Sequence, residues 1–385
     1  MWLPAQGCNM KFSAGYILLI GPVPPPHHGV AVSTQAILGS SFVKDFNVIH
    51  LDTSDRRGLD NFGVLDFVNV SLAVKRIGRL FIYCLLKNLK VVYLPLSQNN
   101  LGFFRDACFI WIAKLFSKAK IIVHYHGSET FISFREKTNS FMRWLIPVTL
   151  RRTDILIVLG ERLKHIFASD VNSVEVVYNG TILNPALRGS SRQAVPETIQ
   201  VSFLGRLCRA KGVLDLLYAI PIVREKHPQA QFLFAGEWRV REPETQAEAL
   251  HFIAEHKLES SVKFLGKVEG KDKEDFLLKT DIFTFPSWID SFPMAILEAM
   301  AASCPVISTK DTGAIPEVVL DGKTGVLVEK KRPGQIAHAI IRLIENPNLR
   351  ISMGTAGRKR VKQHFTIEQS AQKLRSIFEA LLHEV

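Results

Sequence analysis

Short apolar runs alternate with amphipathic stretches along this chain, and the alternation predicts strands and helices in regular succession. Two stretches of the first half, 101–117 and 134–150, have the apolar spacing of helices. Strands that are apolar on both faces are typical of parallel sheets covered by helices on either side. The first half therefore predicts repeated β-α-β units, with strands at 16–20, 47–51, 91–94, 121–125, 155–159 and 174–178.

The pattern pauses at 184–200, a polar stretch with one glycine and two prolines, which is typical of a linker. It then resumes with helices predicted at 333–345, at 347–364 and from 367 onward, and with strands at 201–204, 231–235, 262–265, 282–285, 306–308 and 326–328. We therefore predict two α/β domains, 1–184 and 201–364, joined by a linker at 185–200. A C-terminal helix within 365–385 is expected to pack back on the first domain. Ligands of open α/β sheets bind beyond the carboxyl ends of the strands, so a cleft at those ends is the expected site.

Composition narrows the class of protein. A hydrophobic content of 47% and a charged content of 22% are those of a globular chain. The five cysteines are scattered without a Cys-x-x-Cys pair, so neither a disulfide framework nor a zinc site is indicated. The N-terminal residues lack the apolar core of an export signal, whether Met1 or Met10 is the true start, and we expect a cytoplasmic protein. No run of about 20 apolar residues predicts a spanning helix.

The net charge of +12 is concentrated in the first half. Residues 1–190 carry 21 Lys or Arg against 12 Asp or Glu, whereas the remainder carries 27 against 24. A basic half favours an anionic partner, which could be nucleic acid, phospholipid headgroups or a phosphorylated substrate, or it is simply a solvated basic surface.

Asp290 to Glu298 follow directly after a predicted strand and form the first candidate site. Pro293 suits the first turn of a helix, and Asp290 or Ser291 could cap it. The start of that helix offers free N–H groups and a positive dipole end to a phosphate. Glu298, one turn into the helix, has apolar neighbours. We expect helix N–H groups and the hydroxyls of a ribose to be its partners; alternatively it is a first-turn Glu that only interacts favourably with the helix dipole.

Gly205 to Gly212 form a second candidate, a strand end followed by a glycine turn and a helix start. Gly205 permits a tight turn or a close ligand approach. Arg206 and Lys211, five residues apart, can both reach a diphosphate, or they are simply solvated cations.

Two weaker candidates lie in the first half. Gly29 opens a helix after the proline-rich segment 22–26, and backbone N–H groups there can meet a phosphate. His124 and His126 end the fourth strand, where a histidine can donate to a substrate oxygen or act structurally. The sequence contains no Asp-x-Asp pair, so no metal-diphosphate site is indicated, and no Gly-x-Ser-x-Gly, so no nucleophile turn is indicated. We expect no cofactor.

Together these segments resemble the retaining glycosyltransferases of family 4. Asp290 and Glu298 have the spacing of that family's E-x7-E motif, and Arg206 and Lys211 fall at its phosphate-binding segment. The further landmarks that fit are Asn179-Gly180, Gly313-Ala-Ile-Pro-Glu317 and Asp321-Gly-Lys-Thr-Gly325. The resemblance is strongest at 201–328. It implies the GT-B fold, two Rossmann-like doubly wound domains that face a central cleft.

The resemblance also implies roles for individual residues. Arg206 and Lys211 would neutralise the leaving diphosphate of a nucleotide-sugar, and Glu298 would hold its ribose. The backbone of Ser291, Phe292 and Met294, with the loops at Gly29 and Gly205, would surround the sugar and phosphate. His126 would contact the transferred sugar, with His124 as the reserve. Asp290 stands where the family usually has Glu, which shortens the reach by about 1.5 Å. It would contact the hydroxyls of the donor sugar through a shifted loop or a water, or it indicates a different sugar.

The family implies a hexosyl or N-acetylhexosaminyl transfer, without metal, to a glycan or lipid-linked acceptor in polysaccharide biosynthesis. The segments 105–120 and 143–152 mix bulky apolar residues with cations, which suits either a helix at an anionic membrane surface or an ordinary buried helix with basic flanks. The first interpretation places the protein peripherally on the inner face of the cell membrane. The alternatives are another GT-B nucleotide-sugar enzyme, such as an epimerase or a transferase to a soluble acceptor, and a non-catalytic two-domain binding module. No nucleic-acid-recognition motif is present, so nucleic acid is not expected as a partner.

Overall fold

The computed structural model describes residues 15–26, 29–40, 43, 46–57, 66–183 and 198–383. They form two compact units that divide between Val177 and Tyr178 and again between Thr366 and Ile367, and the short stretch Gly160–Leu163 belongs to the second unit. The first division precedes the predicted domain end at residue 184, because the Thr181 N–H already donates to the Phe365 carbonyl, 2.9 Å away. Residues 185–197 of the predicted linker lie outside the described residues.

The first unit is built on a six-stranded parallel sheet with the order β2-β1-β3-β4-β5-β6. Its centre is apolar on both faces, as the Ile- and Val-rich runs predict, and all six predicted strands are confirmed within two residues of their expected ends. The strands are β1 Tyr16–Gly21, β2 Val48–Asp52, β3 Leu89–Pro95, β4 Lys120–Tyr125, β5 Ile155–Val158 and β6 Val174–Val176.

Helices flank this sheet. They are α1 Gly29–Gly39, α2 Phe67–Leu86, α3 Asn100–Phe116, α4 Thr130–Lys137 and α5 Ser140–Leu150. The prediction of one helix over 134–150 is wrong, because Thr138 is extended and the Asn139 side chain accepts from the Met142 N–H at 2.8 Å, which starts a new helix. Within the described ranges no helix is long and apolar enough to cross a membrane.

The second unit contains another six-stranded parallel sheet, ordered β12-β11-β10-β7-β8-β9. Its strands confirm the second predicted set: β7 Gln200–Leu204, β8 Gln231–Ala235, β9 Val262–Gly266, β10 Ile282–Phe285, β11 Val306–Thr309 and β12 Gly325–Val328. Its helices are α6 Val213–Lys226, α7 Pro243–Glu255, α8 Gly270–Lys279, α9 Met294–Ala301, α10 Ile315–Val318, α11 Pro333–Glu345 and α12 Pro347–His364. This is the strand order of a doubly wound nucleotide-binding sheet.

The last helix, α13 Ile367–His383, contributes to the core of the first unit. Its buried apolar side chains, among them Leu374 and Phe378, join the cluster that contains Ile17 and Tyr93. The Phe378 ring centroid lies 6.1 Å from that of Tyr93 on β3. The end of the chain therefore completes a core that the first half begins.

Replacing Phe378 by Ala should destabilise the first unit by about 3–5 kcal/mol, because a ring that is only 1% exposed would leave a cavity in that core. Chemical denaturation of the full chain measures the change. Gln372→Ala, at an exposed position of the same helix, is the matched control and should change stability by less than about 0.5 kcal/mol. Equal effects of the two substitutions would contradict the core assignment.

Candidate active site

The second sheet has a topological switch point between β7 and β10. These strands are neighbours, yet the chain leaves β7 toward β8 on one side and returns later to β10 on the other. The loops after β7 and β10 therefore diverge, and the crevice between them is where doubly wound sheets bind ligands. Gly205–Gly212 follow β7 and residues 286–293 follow β10, so both predicted candidate segments border this crevice.

The loop after β7 packs directly on the loop after β10. Gly205 turns the chain out of the strand with φ +152°, and Gly212 has φ +73°. A Cβ atom on Gly212 would lie 2.1 Å from the Pro286 carbonyl oxygen, so only glycine fits at this contact. The short 3₁₀ turn Arg209–Lys211 lies between the two glycines and places Lys211 beside the second loop.

Lys211 and Asp290 form an ion pair across the two loops. The Lys211 Nζ lies 2.5 Å from Asp290 Oδ2 and also donates to the Ile289 carbonyl at 3.0 Å. The ammonium also lies 5.8 Å from the ring centroid of Phe285, the last residue of β10. The Asp290 carboxylate, predicted to contact a donor sugar, thus has a protein partner that fixes the position of the lysine charge.

Arg206 contrasts with Lys211. Its side chain is exposed and forms no hydrogen bond or ion pair with any residue that the structure describes. The loop thus presents one anchored ammonium and one guanidinium whose planar fork of donors matches phosphate oxygens.

The loop after β10 is held by hydrogen bonds to its backbone. The Ser287 carbonyl accepts from the hydroxyls of Thr309 and Thr312, at 2.7 Å and 2.8 Å. The Trp288 N–H donates to the Ala210 carbonyl at 2.9 Å. Neither threonine is among the predicted site residues, although Thr309 ends β11 and Thr312 follows it, at the edge of the sheet where polar residues face a ligand. A loop tethered in this way keeps Asp290 in place.

A buried carboxylate adds a further tether. Asp215, in the first turn of α6, accepts a hydrogen bond from the Trp288 indole N–H. Burial raises the pKa of Asp215, and the Trp288 hydrogen bond opposes that rise. The Lys331 ammonium lies 4.6 Å from the Trp288 ring centroid and is a second favourable contact to the same indole.

The start of α9 differs from the prediction. The residue that precedes the helix is Pro293, in an extended conformation, so the helix begins at Met294 and is not capped by Asp290 or Ser291. The first N–H groups of α9, at Met294 and Ala295, have no intrahelical acceptor and can still meet an anion. The Phe292 ring is buried, with its centroid 5.9 Å from those of Tyr178 and Phe365, so only the backbone of Phe292 is left for a ligand.

Glu298 has a partner that the sequence did not indicate. Its carboxylate lies 2.8 Å from the ammonium of Lys273 on α8, in place of the expected helix N–H groups. The Glu298 side chain is 23% exposed, whereas Leu297 and Ala299 on either side are fully buried. An ion pair at the edge of an apolar helix explains how the charge is tolerated there.

The histidine candidates lie in the first unit. His124 is buried at the end of β4, with its Nδ1 2.6 Å from the Tyr93 hydroxyl and its ring centroid 4.0 Å from that of His126. Burial, with a smaller contribution from His126, holds the pKa of His124 well below its usual range, so this imidazole is neutral. His126, just past the strand, is half-buried. Gly29 begins α1 after β1, beside the switch point between β1 and β3.

Within the described ranges, no group of three or more His, Cys, Asp or Glu side chains could hold a metal ion. The expectation that no metal takes part remains a prediction.

Two doubly wound parallel units in one chain define the GT-B class, and the solved structures agree. Anabaena HepE, solved in complex with UDP and glucose, superposes with a TM-score of 0.72 at 18% identity, over 95% of this chain and 100% of HepE. Residues 190–360 match the family model described as glycosyl transferases group 1. This segment of the chain is therefore similar to the glycosyl transferases group 1.

Two relatives are similar to this chain over part of their length. The Staphylococcus aureus capsular polysaccharide biosynthesis glycosyltransferase CapM is 28% identical over 60% of this chain and 63% of its own length. A Corynebacterium glutamicum protein is 27% identical over 70% of this chain and 72% of its own length. It is named a GDP-mannose-dependent monoacylated alpha-(1-6)-phosphatidylinositol monomannoside mannosyltransferase.

The buried His124 should make stability depend on pH. Its pKa is lowered in the folded state, so the unfolded chain binds more protons below about pH 6.5, and the free energy of unfolding falls as the pH decreases. Between pH 7.5 and pH 5.0, His124→Gln should remove up to about 2 kcal/mol of the loss measured by denaturant titration. Gln372→Ala, at an exposed position that carries no titratable group, should leave the pH dependence of the wild type unchanged. Identical pH profiles for wild type and His124→Gln would show that His124 does not titrate as the geometry requires.

Proposed function

We propose that this protein is a retaining glycosyltransferase that moves a hexosyl or N-acetylhexosaminyl group from a nucleotide-sugar to a hydroxyl acceptor. The observation that carries the proposal is the pair of cations at the switch point of the second sheet. Asp290 anchors one of them, Lys211, while the other, Arg206, is exposed and has no partner among the described residues. The resemblance of these positions to the family's phosphate-binding segment supports the same interpretation.

In the proposed reaction the bond between the anomeric carbon and the diphosphate oxygen breaks while the acceptor oxygen bonds to that carbon. Charge grows on the leaving diphosphate, and Arg206 and Lys211 stabilise it where it develops. The acceptor hydroxyl approaches on the side of the leaving group and passes its proton to the departing phosphate oxygen. The configuration at the anomeric carbon is thereby retained without a bond to the protein.

The other candidates have binding roles in this proposal. Glu298 accepts hydrogen bonds from the ribose hydroxyls, which means that the ribose shares or replaces the contact with Lys273. The N–H groups at the start of α9 and the loop at Gly205 meet the phosphates. The Gly29 segment and His126 serve the sugar, as the family resemblance implies. Because the two cations can neutralise the diphosphate and the sequence lacks Asp-x-Asp, we propose that the reaction needs no metal.

We propose a lipid-linked or polysaccharide acceptor from cell-surface glycan synthesis. The names of CapM and of the corynebacterial mannosyltransferase, which refer to a capsular polysaccharide and to an acylated phosphatidylinositol mannoside, support this class. The excess of cations over residues 1–190 supports an anionic acceptor or surface on the inner face of the cell membrane, where the protein would be peripheral.

Turnover should depend on both cations of the loop after β7. With UDP-, GDP-, ADP- and CMP-sugars as donors, we expect one nucleotide class to be hydrolysed or transferred by the wild type, with equal rates in EDTA. Arg206→Met and Lys211→Met should each lower kcat on the order of 10²-fold, since each removes a charge that stabilises the leaving group. Lys226→Met, an exposed lysine at the far end of α6, is the matched control. No turnover with any donor, or wild-type rates in both variants, would overturn the proposal.

Donor affinity should depend on Glu298. Glu298→Gln keeps the shape of the side chain but removes the charge that strengthens hydrogen bonds to the ribose, so the Kd of the preferred donor should rise about tenfold or more. The same substitution should change the affinity for the 2′,3′-dideoxy nucleotide far less. Glu259→Gln, at an exposed position, serves as the control. Unchanged donor affinity in Glu298→Gln would remove Glu298 from the ribose site.

A further inference from the structure

One face of α2 is apolar and exposed along nearly the whole helix. The positions are three, four or seven residues apart, except for the adjacent Phe81 and Ile82, so they lie on one side of the helix. They are Phe67, Val70, Val74, Phe81, Ile82 and Leu85. Phe67 is 88% exposed and Val74 63%. At 1.5 Å per residue, this stripe extends for about 27 Å.

The apolar surface continues onto the neighbouring helices α3 and α5. On α3, Leu101, Phe104 and Leu115 follow the same spacing and are exposed. The Phe104 ring centroid lies 6.4 Å from that of Phe141 on α5, and Phe141 is followed by the 59%-exposed Trp144.

A second ring contact joins α2 to α3, because the centroids of Phe81 and Phe116 are 4.8 Å apart. We call the exposed side of these three helices the apolar face. Single exposed apolar residues are ordinary on a protein surface, but a continuous series over three helices marks an interaction surface.

The charges around the apolar face specify its partner. From Phe67 to Leu150, which spans the three helices, the chain carries twelve Lys or Arg residues against three acidic residues, Asp106, Glu129 and Glu136. Asp106 is 1% exposed and pairs with Arg105, so it contributes no free negative charge at the surface. Lys75 and Arg79 are exposed on α2, next to the stripe. A second copy of the chain on this face would bring like charges close together, whereas an anionic surface would neutralise the cations.

We propose that the apolar face docks on the surface of an anionic phospholipid bilayer, with α2 lying in the plane of the membrane. The stripe from Phe67 to Leu85 would enter the boundary between headgroups and acyl chains, and Lys75 and Arg79 would meet lipid phosphates. Trp144 suits the headgroup level, where amphipathic rings are favoured. This inference deepens the proposed function and rests on it in one respect. Docking on the membrane would bring the proposed transferase to an acceptor that is attached to lipid.

Flotation of the full chain with vesicles tests the docking. We expect vesicles of phosphatidylcholine with 30% phosphatidylglycerol to bind the protein about tenfold or more tightly than pure phosphatidylcholine at about 0.1 M salt, and the difference to shrink at about 0.5 M salt. The triple substitution Phe67→Ser, Val74→Ser and Leu85→Ser should weaken binding to the anionic vesicles at least about tenfold, since it removes three apolar side chains without changing charge. Lys75→Gln with Arg79→Gln should weaken the same binding and reduce its salt dependence.

A control variant and the oligomeric state separate membrane docking from general stickiness and from self-association. Val240→Ser, at a 78%-exposed position of the second unit, should bind vesicles as the wild type does. Equal binding to neutral and anionic vesicles, no binding to either, or undiminished binding of the triple variant would overturn the proposal. So would a concentration-dependent dimer that the triple substitution dissociates, because it would show that a second copy covers the face.

Donor hydrolysis by each variant, measured without vesicles, distinguishes this proposal from the proposed function. The triple variant should hydrolyse the donor at the wild-type rate, since it alters only exposed side chains of the first unit. Vesicle binding without turnover in any protein would leave the docking intact and reject the transferase proposal. Turnover without vesicle binding would leave the transferase proposal intact and reject the docking.

Discussion

The ion pair between Lys211 and Asp290 ties together the two loops that border the switch point of the second sheet. The pair joins residues that are far apart in sequence, at an Nζ to Oδ2 distance of 2.5 Å. It can form only because Gly212 lets the first loop lie against the Pro286 carbonyl. The threonine hydroxyls that bind the Ser287 carbonyl then keep the second loop from moving away. The position of the site thus follows from a parallel sheet, two glycines and one charge pair.

The same arrangement explains why Lys211 has protein partners and Arg206 has none among the described residues. The Asp290 carboxylate beside Lys211 lowers the electrostatic cost of holding the Lys211 and Arg206 charges in the same loop. Arg206 keeps its donors available. An anion that binds Arg206 would also approach an ammonium whose position is already set, so little ordering would be required on binding. Such preorganisation is what stabilisation of a leaving group demands.

The sequence predicts the strands well and the side-chain partners poorly, for physical reasons. A parallel strand covered on both faces must be apolar at nearly every position, so runs such as 121–125 and 282–285 are recognisable without a structure. The break between α4 and α5 depends on one hydrogen bond from the Met142 N–H to Asn139, and apolar spacing does not register it. The pairing of Glu298 with Lys273 joins two helices, and no local pattern in either segment indicates it. The exposed stripe of α2 has the spacing of an ordinary buried helix face, and only packing shows that the described residues leave it uncovered.

The loop after β7 is proposed to bind a diphosphate through Arg206 and Lys211, and the whole account depends on this interaction. The most direct measurement is isothermal titration of the wild type and of the double variant Arg206→Met, Lys211→Met with UDP, GDP and ADP, and with the corresponding nucleosides. We predict that one nucleoside diphosphate binds the wild type, that its nucleoside binds both proteins weakly and equally, and that the double substitution abolishes the difference. A diphosphate that binds both proteins with the same affinity would contradict the claim.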